Sequence, residues 1–229
     1  MKILAIIPAR SGSRGLRDKN IKDLCGLPLC AYTINAARKS GVFEEIHFST
    51  DSQIYADIAM QYGASVPFLR DTVLASDTAS SWDVVKVVIE NYKRNGQGFD
   101  AVMLLQPTVP FRSAEDICGA MALFKEKNAQ AVVSVTDPSH SPLWSAPLPP
   151  DGNMQVFHER FKFLQARQTL ERYYALNGAI YLTAVDHLMN RSDIYEEGCY
   201  AYYMPRERSF DIDSQLDFDW CEFYLRNRK

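Results

Sequence analysis

The chain has 229 residues, 47% apolar and 23% charged, proportions that exclude wholesale disorder or a fibrous chain and leave room for a sizeable core. Its 25 Lys+Arg against 28 Asp+Glu give a net charge of -3, which excludes a uniformly basic nucleic-acid-binding surface but not a local basic patch. Cys25, Cys30, Cys118, Cys199 and Cys221 form no C-x-x-C pair, so neither a disulfide framework nor a structural zinc site is indicated, and a cytoplasmic setting is expected. The apolar run at 3–7 is too short for a signal-peptide core, no stretch approaches a membrane span, and neither a membrane nor a nucleic-acid partner is expected.

That first run, Ile3-Leu4-Ala5-Ile6-Ile7 ended by Pro8, reads as a strand buried on both faces. Helical periodicity follows at 29–38, at 52–62 and at 81–92, where Val84, Val85, Val88, Ile89 and Tyr92 share a face and Ser80 or Ser81 serves as N-cap. Residues 101–105 and 131–135 read as further buried strands on either side of a helix at 114–125. The rhythm then breaks between about 138 and 177. Pro138, Pro142, Pro147, Pro149 and Pro150 crowd this stretch, Asp151-Gly152-Asn153 supplies turn chemistry, and an alternating aromatic run occupies 156–164. Residues 139–176 are therefore expected to form an inserted hairpin or flap. Its Trp144, Phe157, Phe161 and Phe163 either meet a second subunit or pack on the parent sheet. A strand at 179–182 and an amphipathic helix at 214–228 complete the pattern. The alternation predicts one α/β domain over 1–229, with a mostly parallel Rossmann-like sheet, helices on both faces, and site loops at the carboxyl ends of the strands.

The loop after the first strand carries Arg10, Arg14, Arg17, Lys19 and Lys22, with Asp18 the only acid among them. Ser11, Gly12, Ser13 and Gly15 are small enough to let backbone N–H groups approach an anion, and the surrounding cations favour a polyphosphate. The bland alternative is a solvated basic turn. Neither G-x-x-x-x-G-K-[ST] nor G-x-G-x-x-G is present, so the signatures of P-loop NTPases and dinucleotide dehydrogenases are missing. Near the other end, Asp211 and Asp213 flank Ile212, so on an extended segment both carboxylates project to one side and suit magnesium. Asp213 or Ser214 is alternatively the cap of the last helix, and Asp217 reads as structural. His47, His140, His158 and His187 are scattered and read as surface or structural residues.

The loop motif, Pro8-Ala9-Arg10-x-Gly12-Ser13-Arg14-Gly15-x-x-x-Lys19-Asn20, is followed in order by the runs at 74–81 and 105–108, then Pro110, Arg112, 177–181 and 211–213. Together they resemble the acylneuraminate cytidylyltransferases, the CMP-sialic acid synthetases. The resemblance implies the nucleotide-diphospho-sugar transferase type of fold. It also implies transfer of CMP from CTP to an acidic nine-carbon keto sugar, release of pyrophosphate, dependence on Mg2+, and a homodimer built through the insert. Carried over by residue, it implies Arg10, Ser13, Arg14, Lys19 and Asn20 at the nucleotide, with Arg70, Ala79 and Ser81 at the cytosine. It implies Gln106, Arg167, Asn177 and Tyr181 at the acceptor sugar, and Asp211 and Asp213 as metal ligands that form the catalytic set with Arg10 and Lys19. Tyr181 also reads as core packing in a strand. Arg14 stands where the family commonly has lysine, Trp144 where some members carry a flap lysine, and Ile194 and Tyr195 near its inter-subunit aromatic pair. Legionaminic, pseudaminic and 3-deoxy-octulosonic acids are alternative acceptors. A non-catalytic nucleotide binder on the same fold is the reading from a different class.

Overall fold

The N-terminal apolar run becomes β1 (Ile3–Pro8), buried from Ile3 through Ile7 as an interior strand of a sheet. The computed structural model describes residues 1–12, 15–71, 80–161, 171–191 and 193–228. Ser13, Arg14, Ala79, Phe163 and Arg167 lie outside the described residues. After β1 come a two-stranded hairpin of β2 (Asp23–Leu24) and β3 (Leu27–Pro28), then α1 (Leu29–Ser40), β4 (Glu45–Ser49), α2 (Gln53–Gln61) and α3 (Ser81–Arg94). The second half runs through β5 (Ala101–Leu104), α4 (Ala114–Glu126), β6 (Ala131–Thr136), α5 (Gln155–Phe161), β7 (Ala175–Ala184), α6 (Val185–Asn190), β8 (Cys199–Tyr203) and α7 (Gln215–Asn227).

Among the described residues the main sheet has six strands in the order β4-β1-β5-β7-β6-β8. Pairing is parallel at β1/β4, β1/β5 and β6/β8 and antiparallel on both sides of β7. The sheet is thus mostly parallel, as expected. The reversal at β7 follows from its connection: β7 returns from the insert directly beside β6, with Thr136 opposite Ala175, and such adjacent strands need no crossover when antiparallel.

Side-chain alternation along β1 builds two layers. Ile3, Ala5 and Ile7 join a core with Ile34 of α1, Ala59 of α2 and Ile117 of α4, while Leu4 and Ile6 face Val85 and Ile89 of α3 and Leu188 of α6. A third cluster joins Leu16 of the cation loop, Ile212, and Phe218 and Cys221 of α7. Burying Leu16 and Ile212 together brings the cation loop against the segment that carries the two aspartates.

The capping alternatives are resolved by geometry. Ser80 caps α3, its hydroxyl accepting from Trp82 N–H at 3.1 Å, so Ser81 is the first helical residue. Ser214 caps α7 in a capping box with Asp217, which leaves Asp213 outside that role.

One expectation is corrected. The alternating run at 156–164 suggested extended chain, but 155–161 is the helix α5 and the rest lies outside the described residues. Aromatics at i and i+4 satisfy a helix as well as their neighbours satisfy alternation, and Phe157 and Phe161 pack at 5.3 Å between ring centres on one helical face. The root of the insert is clasped to the sheet edge. Asp137 accepts from both Nε and Nη2 of Arg172 and from the Tyr203 hydroxyl. Trp144, Leu148, Tyr174 and Leu176 of this region stay exposed. Among the described residues no helix is long and apolar enough to cross a membrane.

Buried His47 on β4 lies 3.3 Å from the Tyr92 hydroxyl, and burial, helped by the charge of Arg70, lowers its pKa to about 3 from 6.5. Between those values the unfolded chain binds a proton that the folded chain refuses, so stability is full above pH 6.5 and is lost as pH falls toward 3. The loss is at most about 1.4 kcal/mol per pH unit from this group. Urea unfolding of His47→Phe should lose about 1 kcal/mol less than wild type between about pH 6 and pH 5; an identical acid loss contradicts the assignment.

Candidate active site

The carboxyl ends of β1, β4 and β5 and the start of antiparallel β7 lie at one end of the sheet, because Pro8 pairs with Ser49 and Leu104 with Tyr181. Several of the described residues expected in the site gather at this end. Arg10 follows β1, Arg70 is tied to the last residue of β4, Gln106 follows β5, Asn177 lies near the start of β7, Tyr181 pairs with Leu104 at the end of β5, and the segment of Asp211 and Asp213 is held by the Ile212 N–H donating to the Thr108 carbonyl beyond β5.

The two charged elements meet. Lys19, almost buried, donates from Nζ to the Ile212 carbonyl at 2.6 Å and contacts Asp213 Oδ1 at 3.2 Å. Asn20 turns inward and donates to the Arg10 carbonyl at 3.3 Å, which fixes the loop across its width. Its own Oδ1 is buried and has no hydrogen-bond partner among the described residues. Gly15 packs so closely that a β-carbon on it would lie 2.5 Å from the Asp213 carbonyl oxygen.

Asp211 keeps solvent access, yet the protein packed around its carboxyl raises its pKa. A Thr108 hydrogen bond lowers it, Asp213 raises it, and Lys19 lowers it in turn. Among the described residues no group of three or more His, Cys, Asp or Glu side chains could hold a metal. A carboxylate pair with hard oxygens and a mutual repulsion to relieve fits magnesium, which keeps waters and substrate phosphates as its other ligands, and does not fit a closed zinc site.

Arg70 is pinned by its own strand end. Its Nη2 donates to the Ser49 carbonyl at 2.6 Å and its Nε to the Ser49 hydroxyl at 3.1 Å. Burial lowers its pKa to about 10, Asp51 opposes that and nearby Arg10 adds to it, so Arg10, Asp51 and Arg70 share one electrostatic neighbourhood. Asp51 escaped the sequence reading. Its only local signal is a polar side chain just past a strand, because its partner Ser11 is 40 residues away.

On the acceptor side, Gly178 is glycine because its φ is 72°, and it packs directly against the Gln106 side-chain amide. Buried Arg112 underpins this corner, donating to the Gln106 and Ala179 carbonyls and to the Thr33 hydroxyl; burial lowers its pKa to about 9 despite Asp116 nearby. Asn177 is almost buried and its amide is used internally. Oδ1 accepts from the Ser134 hydroxyl at 2.6 Å and the Ala179 N–H at 3.1 Å, and Nδ2 donates to the Ser209 hydroxyl at 2.9 Å. Ser134 sits at a register shift between β6 and β7, an irregularity that aims its hydroxyl at Asn177. Tyr181 packs edge-on to Trp82, and burial first, then Asp211, raises its pKa, so its hydroxyl shares the electrostatic surroundings of the carboxylate pair.

A family model described as Cytidylyltransferase matches residues 4–217. The chain is similar to the CMP-N,N'-diacetyllegionaminic acid synthase of Legionella pneumophila, at 41% identity over 97% of this chain and 95% of that protein. It is also similar to the N-acylneuraminate cytidylyltransferase of Escherichia coli O18:K1:H7, at 38% identity over 95% of this chain but only 51% of that protein, so it spans about half of that relative. A solved structure of a CMP:2-keto-3-deoxy-manno-octonic acid synthetase complexed with CTP superposes with a TM-score of 0.75 at 15% identity, covering 100% of both chains, and shows the same fold. The family model over nearly the whole chain and these relatives agree: the chain belongs to the cytidylyltransferase family, whose members are nucleotidyltransferases.

Proposed function

We propose that the chain transfers CMP from CTP to the anomeric 2-hydroxyl of a nonulosonic acid, releasing pyrophosphate. The observation that carries this reading is the contact of Lys19 with Asp213, which joins an anion-binding loop to a carboxylate pair at the strand ends. In the reaction the hydroxyl oxygen attacks the α-phosphorus in line, the bond to the β-phosphate bridging oxygen breaks, and the hydroxyl proton leaves to an aspartate or to water. Arg10, Arg14 and Lys19 offset the charge that develops on the leaving pyrophosphate, with Ser13 and Asn20 at the same nucleotide. Arg70, Ala79 and Ser81 lie at the cytosine; Gln106, Arg167 and Tyr181 bind the sugar, and Asn177 acts through the backbone it holds at Ala179. Asp211 and Asp213 would hold Mg2+, which when bound neutralises phosphate charge and favours the ionised hydroxyl.

Two acceptors have specific support: the sialic acid of the Escherichia coli relative, and the diacetylated legionaminic acid of the Legionella relative, which this chain matches over nearly its whole length. Comparing kcat/KM for N-acetylneuraminic, diacetyllegionaminic, pseudaminic and 3-deoxy-octulosonic acids separates them. A nine-carbon acid should be preferred, and a preference for the eight-carbon acid contradicts the reading. We also propose a homodimer through the insert and the β8 edge, supported by exposed Trp144, Leu148, Tyr174 and Tyr203; sedimentation showing only monomer at micromolar concentration contradicts it.

The Gly15 contact gives a direct test of the joint between the two charged elements. Gly15→Ala must push the loop away from the Asp213 backbone, and a shift of this size is expected to lower kcat/KM about 100-fold. Pyrophosphate release at the wild-type rate would mean that the loop and the segment do not work in contact.

A further inference from the structure

One carboxylate outside the expected site residues is built into the root of the cation loop. Asp51, just past β4, takes two hydrogen bonds from a single residue: the Ser11 N–H at 2.7 Å and the Ser11 hydroxyl at 2.6 Å. Ser11 directly follows Arg10, so these bonds fix the loop where it leaves β1. Further along, the Tyr55 hydroxyl donates to Asp18 at 3.0 Å and ties the same loop to α2. Burial alone would raise the Asp51 pKa, but the Ser11 donors and the charge of Arg70 hold its carboxyl below the usual range, so it is ionised at neutral pH.

On charge alone this carboxylate is out of place, because it repels the anion that the loop is built to receive. Its two short bonds to one loop residue give it a different role. We propose that Asp51 is a positioning residue of the nucleotide site, holding the Arg10 loop in the shape that receives a triphosphate and screening Arg10 from Arg70 when no nucleotide is bound. The proposal rests on reading the strand-end residues as a CTP site.

Charge and position predict opposite signs, which makes the test decisive. If Asp51 were only a nearby negative charge, Asp51→Asn would bind CTP more tightly. As a positioning residue, its loss should weaken CTP about tenfold in calorimetric titration, while CMP, which lacks the β- and γ-phosphates, changes by less than about twofold. Ser11→Ala removes only the hydroxyl bond and should weaken CTP about threefold, adding little when combined with Asp51→Asn. CTP binding that is unchanged or tightened in Asp51→Asn, or CTP and CMP weakened alike, overturns the proposal. If thermal melting shows that Asp51→Asn does not fold, Ser11→Ala decides: a loss confined to CTP supports the positioning role, and no loss overturns it. A wild-type protein that fails to bind CTP at all sinks the nucleotide-site reading, and the proposal with it.

Discussion

Replacing Asp213 with asparagine should lower kcat about 100-fold or more while changing metal-free CTP affinity by less than about threefold. Asparagine keeps the shape and one oxygen acceptor but not the charge, so with Asp211 it would no longer balance the proposed Mg2+ against phosphate. Lys19 loses its ionic partner but keeps the Ile212 carbonyl at 2.6 Å, so the loop should stay in register and the loss should fall on turnover. Steady-state pyrophosphate release over a magnesium series measures it, alongside calorimetry of CTP in chelator. Near-wild-type turnover at all magnesium concentrations would remove Asp213 from the catalytic set.

Replacing Arg112 with methionine should cost about 3 kcal/mol of stability and lower Tm by about 10 °C. Three acceptors on separate parts of the chain depend on this guanidinium: the Gln106 carbonyl, the Ala179 carbonyl and the Thr33 hydroxyl. Burying them without a donor costs more than the methionine side chain regains in apolar contact. Lysine should not rescue, since a single ammonium does not reproduce the planar fork that reaches the segment after β5, β7 and α1 together. Calorimetric melting of both variants checks this. An unchanged Tm in Arg112→Met would show that the three acceptors find other partners.

How far the sequence exposed this molecule depended on whether a residue's partner was near in the chain. β1, β5 and α3 were legible because an unbroken apolar run or a 3.6-residue stripe is a local pattern. β4 was not, because only Ile46 and Phe48 of its five residues are apolar, too short a pattern to stand out from a loop. His47 and Ser49 are nevertheless buried, satisfied by Tyr92 and Arg70 from distant segments. β8 was missed for the opposite reason: as an edge strand it leaves Tyr200 and Tyr203 exposed and shows no buried run. In the insert, alternation and helical spacing coincided over the same aromatics, and the helix prevailed at α5.

The same distinction runs through the site. The cation loop and the Asp211/Asp213 pair stood out as local charge patterns, and α7 with its buried neighbours Leu16 and Ile212 supplies the packing that brings them together. Asp51 and Ser134 carried no such signal, since their bonds run to Ser11 and Asn177, 40 and 43 residues away. Asn177 was found by motif, and the structure adds what the motif did not show: its amide bonds to Ser134, Ala179 and Ser209.

The central claim is that the cations of one loop and the carboxylates of one segment work on a single nucleotide, with an acid sugar as acceptor. Pyrophosphate release by the wild-type chain, with CTP or UTP and with or without a nonulosonic acid, tests it most directly. Release that requires CTP, the sugar acid and magnesium together, with formation of the CMP-sugar in equal amount, is the predicted result. No release with any sugar acid, or release that does not depend on the acid, would contradict it.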